Sequence, residues 1–219
     1  MEKSINDYPF LLNLHMNQRK LKVIAYSDYI CPFCYIGYHR IEQLKKEYNL
    51  DVEWRPFEIH PETPKQGAAI DALPFPKGYL EMAFANVKRL ADEDGLTLKF
   101  AEKLPNSRLA LYISEFARKK EKFEEYHKLV LEAYWLEGRD IGDKKLLLEL
   151  AESIELDKNE IEIYLDTDEP SIKLHETLIE LRRYGINGVP TFNIEGRLIV
   201  GAQPYEIFRQ VINKILDEK

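Results

Sequence analysis

The chain of 219 residues contains two cysteines, and they stand together as Cys31-Pro32-Phe33-Cys34. Thiols separated by two residues can close a disulfide within one helical turn, or open one in a partner. The preceding run, Leu21-Lys22-Val23-Ile24-Ala25-Tyr26, is rich in apolar residues. After the pair, Ile36, Ile41, Leu44 and Tyr48 recur near helical spacing. The cysteines are therefore expected at a strand-to-helix junction.

Such a junction has a chemical consequence. The first turn of a helix carries unpaired N–H groups and the positive end of the macrodipole, and both stabilise a thiolate. A free cysteine titrates at about 8.5, and a C-x-x-C thiol at a helix N-terminus can fall to roughly 3.5 to 7.5. Cys31 is thus expected to be the exposed, acidic thiol that attacks a disulfide. Cys34, one turn in and facing inward, is expected to resolve the mixed disulfide. Pro32 suits the first helical turn, where no N–H is needed. Inert core cysteines would not be expected to pair at this spacing. A structural zinc would want four ligands, so His60, His127 and His175 would have to converge from distant segments, with no second C-x-x-C to help them.

The elements that must position the pair follow from periodicity. A second strand is expected over Val52-Glu53-Trp54-Arg55-Pro56-Phe57, giving a parallel strand-helix-strand unit. Pro61, Pro64, Pro74 and Pro76 then mark a loop-rich stretch. Helical stripes come next: Leu80, Phe84, Val87 and Ala91; Leu109, Tyr112, Ile113 and Phe116; Tyr126, Leu129, Val130 and Ala133. Shorter helices are expected near 146–150 and 161–165. These stripes read as ordinary core. Asp168-Glu169-Pro170-Ser171 signals a helix start, with Gly185 as its stop. Val189 to Ile194 and Arg197 to Val200 flank Glu195-Gly196, a two-residue hairpin signal. Pro204 opens a final helix. The expected organisation is an N-terminal extension over 1–20, one α/β domain built from 21–60 and 171–219, and a helical insertion over 61–170.

Composition narrows the function. A net charge of -7 with both signs interspersed argues against a nucleic-acid footprint. No apolar run is long enough to span a membrane, and the first 20 residues lack the order of a signal peptide. A cytoplasmic protein is expected, where a C-x-x-C pair is redox-active or metal-binding more often than a structural staple.

This order of elements resembles a thioredoxin fold split by a helical insertion, as in the DsbA family of thiol-disulfide oxidoreductases, and within it the FrnE-type branch. The resemblance covers roughly residues 21 to 216. It is carried by Ser27-Asp28 through Cys34 to Gly37, Trp54 to Glu58, Leu104-Pro105-Asn106-Ser107, Glu137 to Ile141, Gly188-Val189-Pro190-Thr191-Phe192 and Gly201-Ala202-Gln203-Pro204. It implies an enzyme with catalytic Cys31 and Cys34. It also implies a cis Val189-Pro190 bond beside them, so that Val189, Pro190, Pro32 and Phe33 contact substrate. Asp28 could act as a base or cap the turn. Asn106 could touch substrate or cap a helix. His39 reads as a surface residue, Trp54 and Phe57 as core. Substrates would be protein or peptide thiols and disulfides, with glutathione or a thioredoxin-type protein as recycling partner and no metal or other cofactor. Two positions depart from the pattern. Pro32-Phe33 stands where this branch often has Pro-Trp and the strongly oxidising periplasmic members have Pro-His. Leu111 stands where related chains often carry histidine. Rival readings are a glutathione-dependent enzyme of the kappa transferase and 2-hydroxychromene-2-carboxylate isomerase group, which uses a serine near the Cys31 position, and a non-catalytic binding partner.

Overall fold

A computed structural model of the chain describes residues 19–70 and 75–218. The expected N-terminal extension therefore lies outside the described residues except for Arg19 and Lys20. The central strand is β1 (Leu21–Ser27). It is paired on both sides, which suits its apolar, nearly continuous burial. On one side β2 (Leu50–Pro56) runs parallel to it in the register Leu21 to Leu50 through Ser27 to Pro56, after the crossover helix α1 (Pro32–Leu44). On the other side β5 (Thr191–Ile194) runs antiparallel and carries β6 (Arg197–Val200), giving the order β2-β1-β5-β6. The hairpin between β5 and β6 closes through Glu195 at φ 48° and Gly196 at φ 89°. Two positive φ values in a two-residue loop match the right-handed twist of the strands. Asn193 Oδ1 accepts from the Gly196 N–H at 2.8 Å and locks it.

Between the two halves of this sheet lie α2 (Tyr79–Glu93), α3 (Arg108–Lys119), α4 (Phe123–Trp135), α5 (Lys144–Glu152) and α6 (Lys158–Leu165). The expected stripes bury Ile113, Phe116, Tyr126 and Val130, which join Tyr35, Tyr38, Ile41 and Leu44 of α1 in one continuous core. Helix α7 (Glu169–Arg183) leads back to the sheet and α8 (Tyr205–Asp217) ends the fold. Since α7 starts at Glu169 and packs on both α3 and β2, the expected boundary at 170/171 falls inside a helix.

Two features depart from the sequence expectation. The loop-rich stretch contains β3 (Ala68–Ala69), which pairs antiparallel with β4 (Lys103–Leu104) and ties the loop to the helical segment. Strands of two residues are too short to leave an alternation. His39 is half-buried rather than on the surface. Its ring meets Tyr35 edge-on at 4.5 Å and Tyr38 at 5.5 Å, and burial lowers its pKa. The aromatic tyrosines flanking its turn of α1 draw it inward.

Candidate active site

β1 ends at Ser27, and the turn Asp28-Tyr29-Ile30 carries the chain into α1 with Cys31 as the helix N-cap. Cys31 has extended dihedrals, φ -86° and ψ 115°, and Pro32 follows in the first turn. Its carbonyl accepts from the N–H groups of Cys34 at 3.0 Å and Tyr35 at 3.3 Å. The turn is held from behind by α4, where Trp135 Nε1 donates to the Tyr29 carbonyl at 2.8 Å and His127 Nδ1 lies 3.1 Å from the Tyr29 hydroxyl.

Both thiols are free. The exposed thiol expected at Cys31 is not what the fold provides, since Cys31 is 4% exposed and Cys34 0%. The Val189 carbonyl and the walls of an apolar cavity lie over Cys31, whose Sγ donates to Val189 O at 3.6 Å. Cys34 faces the core, and burial, then the neighbouring Cys31 sulfur, push its thiol well above the usual range. The Asp28 main chain and the Ser27 hydroxyl pull the other way. Cys34 is therefore stored as a neutral thiol.

Val189 and Pro190, joined by a cis bond, reach the thiols from a segment 158 residues away in sequence. The register is held because α1 and β5 approach closely at Gly37. A Cβ there would stand 2.7 Å from Phe192 Cζ and 3.4 Å from Pro190 Cγ, so only glycine fits without displacement. Pro32, Phe33 and Val189 line the cavity beside Cys31, together with Ile30, Phe84, Phe100 and Trp135.

Asp28 and Asn106 occupy other places. Asp28 is 1% exposed and lies behind the cavity rather than in it. Its carboxylate accepts from Ile59 N at 2.8 Å and Ile30 N at 3.4 Å. Burial raises its pKa to about 6, against the opposing pull of the Ile59 N–H, the Ser107 hydroxyl and the Ile30 N–H. Asp28 thus caps the turn that presents Cys31 and is also a titrating group in its own right. Asn106 does not line this cavity. It accepts from Arg108 N at 3.0 Å and donates to the Thr63 carbonyl at 2.6 Å, fastening the start of α3 to the 60s loop.

Three residues that position the site carried no such signal in sequence. Arg40 looks like a surface position of α1 yet is 1% exposed. It donates to Asp94 at 2.7 Å, the Ala202 carbonyl at 2.8 Å and the Gln203 carbonyl at 2.5 Å, joining α1, the end of α2 and the loop after β6. His127, considered only as a metal ligand, packs on Trp54 at 4.9 Å and Phe123 at 5.1 Å. Trp135 is the third, and its indole N–H ties down the turn. A free indole or imidazole N–H inside a helical stripe was the available hint, because a buried one needs an acceptor. Among the described residues no group of three or more His, Cys, Asp or Glu side chains is placed to hold a metal.

Residues 22–213 match the family described as DSBA-like thioredoxin domain. The Bacillus subtilis protein YwbO, itself uncharacterized, is 31% identical over 193 residues, covering 86% of this chain and 94% of that protein. Among solved structures, a probable DsbA oxidoreductase from Streptomyces coelicolor superposes with a TM-score of 0.79 at 23% identity, covering 91% of each chain. A 2-hydroxychromene-2-carboxylate isomerase superposes with a TM-score of 0.75 at 19% identity, covering 89% of this chain and 95% of the other. At these identities the two superpositions speak for the fold.

Proposed function

The chain belongs to the family of DSBA-like thioredoxin domains, and from that premise we propose that it exchanges disulfides with protein or peptide cysteines through Cys31 and Cys34. The observation that carries this reading is the placement of the two free thiols. One caps α1 beside the Val189 carbonyl, and the other is stored protonated a turn further in. In the reducing direction the Cys31 sulfur attacks a substrate disulfide, a mixed disulfide forms and one substrate thiol leaves. Cys34 then gives up its proton and attacks Cys31. The second substrate thiol leaves, the protein pair is oxidised by two electrons and the substrate is reduced by two. Oxidation of a substrate dithiol is the same path reversed.

Val189, Pro190, Pro32 and Phe33 flank the reacting sulfur in this scheme, and Asp28 and Asn106 support the loops that carry it. Glutathione or a thioredoxin-type dithiol would return the pair to its starting state. A cytoplasmic setting accords with a chain that has no cysteine outside the redox pair. The superposition on the isomerase supports a second reading, a glutathione-dependent isomerase with its small substrate in the cavity beside Cys31. Two cysteines within one turn favour the redox reading, since conjugation or isomerisation has no use for Cys34.

Equilibration in graded glutathione buffers, scored by alkylation and intact mass, tests the proposal. A two-electron transition lost in Cys31→Ser and in Cys34→Ser is expected. No Cys31–Cys34 disulfide at any poise would refute it.

A further inference from the structure

Thiol-disulfide exchange moves a proton as well as a sulfur–sulfur bond, and the residues between the two cysteines offer nothing to carry it. Pro32 and Phe33 do not titrate, and Cys31 Sγ donates to the Val189 carbonyl, which has no proton to give back. No Asp, Glu, Lys or Arg is among the described residues that line the cavity beside Cys31. Its ionisable side chains are Cys31 itself, His60, Tyr79 and Tyr134. A phenol ordinarily titrates at about 10 and an imidazole at about 6.5, and burial pushes Tyr134 higher still. Among the described lining residues besides Cys31, His60 is therefore the group suited both to take and to give a proton near neutral pH.

Local contacts fix this ring. The Asp28 carboxylate, in the turn that leads to Cys31, accepts from the Ile59 N–H at 2.8 Å, so the residue before His60 is fastened to the turn that carries the thiol. His60 Nδ1 lies 2.9 Å from Glu62 Oε1, and the ring meets Phe75 edge-on at 5.9 Å. The bond from His60 holds the Glu62 carboxyl below its usual range, so it stays a carboxylate that can only accept. Nδ1 then carries the hydrogen, and Nε2 is the nitrogen left to gain and lose a proton. The side chain is 22% exposed, so it reaches solvent as well as the cavity. Other charges around the loop are engaged elsewhere: Glu58 takes Arg108 Nε at 3.0 Å, Arg108 Nη2 donates to the Pro61 carbonyl at 3.1 Å, and Asp28 holds main-chain N–H groups.

We propose that His60 is the acid-base group of the exchange, taking the proton of Cys31 and giving it to the substrate sulfur as that sulfur departs. The proposal rests on the exchange reading above and adds a catalytic residue to it. In the reducing direction the Cys31 proton passes to His60 Nε2 and the Cys31 sulfur attacks the substrate disulfide. The Cys31–substrate S–S bond forms, the substrate S–S bond breaks, and the departing sulfur takes the proton from the imidazolium. The substrate disulfide is the oxidant of this step, and His60 ends it as it began.

The test uses the full chain carrying Cys34→Ser, which holds the mixed disulfide, and two uncharged probes. Bis(hydroxyethyl) disulfide releases a strongly basic alkyl thiolate. Dipyridyl disulfide releases an anion that spreads its charge over the ring and departs without a proton. A thiol of lower pKa leaves faster, so an acid at the departing sulfur helps the alkyl probe alone. Adduct formation near neutral pH is followed by intact mass. His60→Gln is expected to lower the alkyl-to-pyridyl rate ratio roughly 100-fold, the low end of what a positioned acid or base supplies. Glu62→Gln keeps the ring and removes the carboxylate that orients it, and should lower the ratio in the same direction by a smaller factor. An unchanged ratio in His60→Gln, or in Glu62→Gln where the first variant does not fold, overturns the assignment, because a residue that only supports the loop slows both probes alike. No adduct with either probe in the Cys34→Ser chain that retains His60 overturns the exchange reading as well.

Discussion

The buried Asp28 carboxyl makes the stability of the fold depend on pH in a way that one substitution isolates. Its pKa rises from 3.8 to about 6 on folding because burial disfavours the carboxylate. At 1.36 kcal/mol per pH unit that difference is about 3 kcal/mol. The folded chain holds this proton more tightly than the unfolded chain. The contribution is therefore fully present below the unfolded value and is lost as pH rises through the folded one. Integrated between pH 4.5 and 7, about 2 kcal/mol should disappear. His127 works in the opposite sense: burial, then Arg118 and Lys45, lowers its pKa from 6.5 to about 3, so its contribution is lost as pH falls. The two effects blur in the parent chain alone, so the quantity to follow is the difference between the parent and Asp28→Asn. Urea unfolding at half-unit steps from pH 4.5 to 7 measures it. The parent should lose about 2 kcal/mol relative to the variant across that window. A flat difference would refute the reasoning, and so would a parent that gains on the variant as pH rises, since either outcome denies that the folded site favours the neutral acid.

Gly37→Ala places a methyl 2.7 Å from the ring of Phe192, which is 0% exposed and packed on Phe208 and Trp54. A loss of about 1–3 kcal/mol is expected from overpacking, read as a fall in Tm of several degrees; an unchanged Tm would contradict the close approach. Arg40→Met strands the Asp94 carboxylate and two carbonyls, and a broken buried pair of this kind costs about 3–5 kcal/mol in chemical denaturation. Adding Asp94→Ala should recover part of that loss, and no recovery would mean that packing rather than charge sets the cost.

Sequence patterns expose what is encoded within a few residues. The paired cysteines, the strand before them and the helix after them were legible because each lies in one short window. The stripe of α4 was legible because Tyr126, Val130 and Ala133 are buried at helical spacing, whereas in α3 only Ile113 and Phe116 of the expected stripe are buried, Leu109 and Tyr112 are half-buried, and Ala110, Leu111 and Ala117 fill the rest of the buried face. The meeting of Cys31 with Val189 spans 158 residues and leaves no periodic trace. Only the resemblance of Gly188 to Phe192 to a family motif anticipated it. Arg40 carried no sign of its burial in the sequence, because its charge suits solvent while its acceptors come from α2's end and the loop after β6. The cavity was hidden for a related reason. Leu80 and Phe84 fit a core stripe, yet in α2 only Val87, Leu90 and Ala91 are buried, so the first half of the helix covers its neighbours incompletely.

Cys31 and Cys34 are chemically identical and three residues apart, so any difference between them must come from where the backbone puts them. The helix turns the later side chain inward and leaves the earlier one at the cap, where only the Val189 carbonyl and the cavity wall stand over it. Phe33 contributes no charge to either sulfur. The groups that bear on Cys34 are its own burial, the Cys31 sulfur, the Asp28 main chain and the Ser27 hydroxyl; Asp28 belongs to the turn that α4 clamps through Trp135 and His127, and Ser27 and Cys31 stand at its two ends. Holding that turn in place is thus part of setting the surroundings of Cys34. An alteration at Trp135 or His127, neither of which is a sulfur's neighbour in sequence, reaches the chemistry through Tyr29. The helical segment is therefore not a passive insertion beside the C-x-x-C pair, because α4 fixes the loop that carries Cys31 and its last residue also walls the cavity beside it.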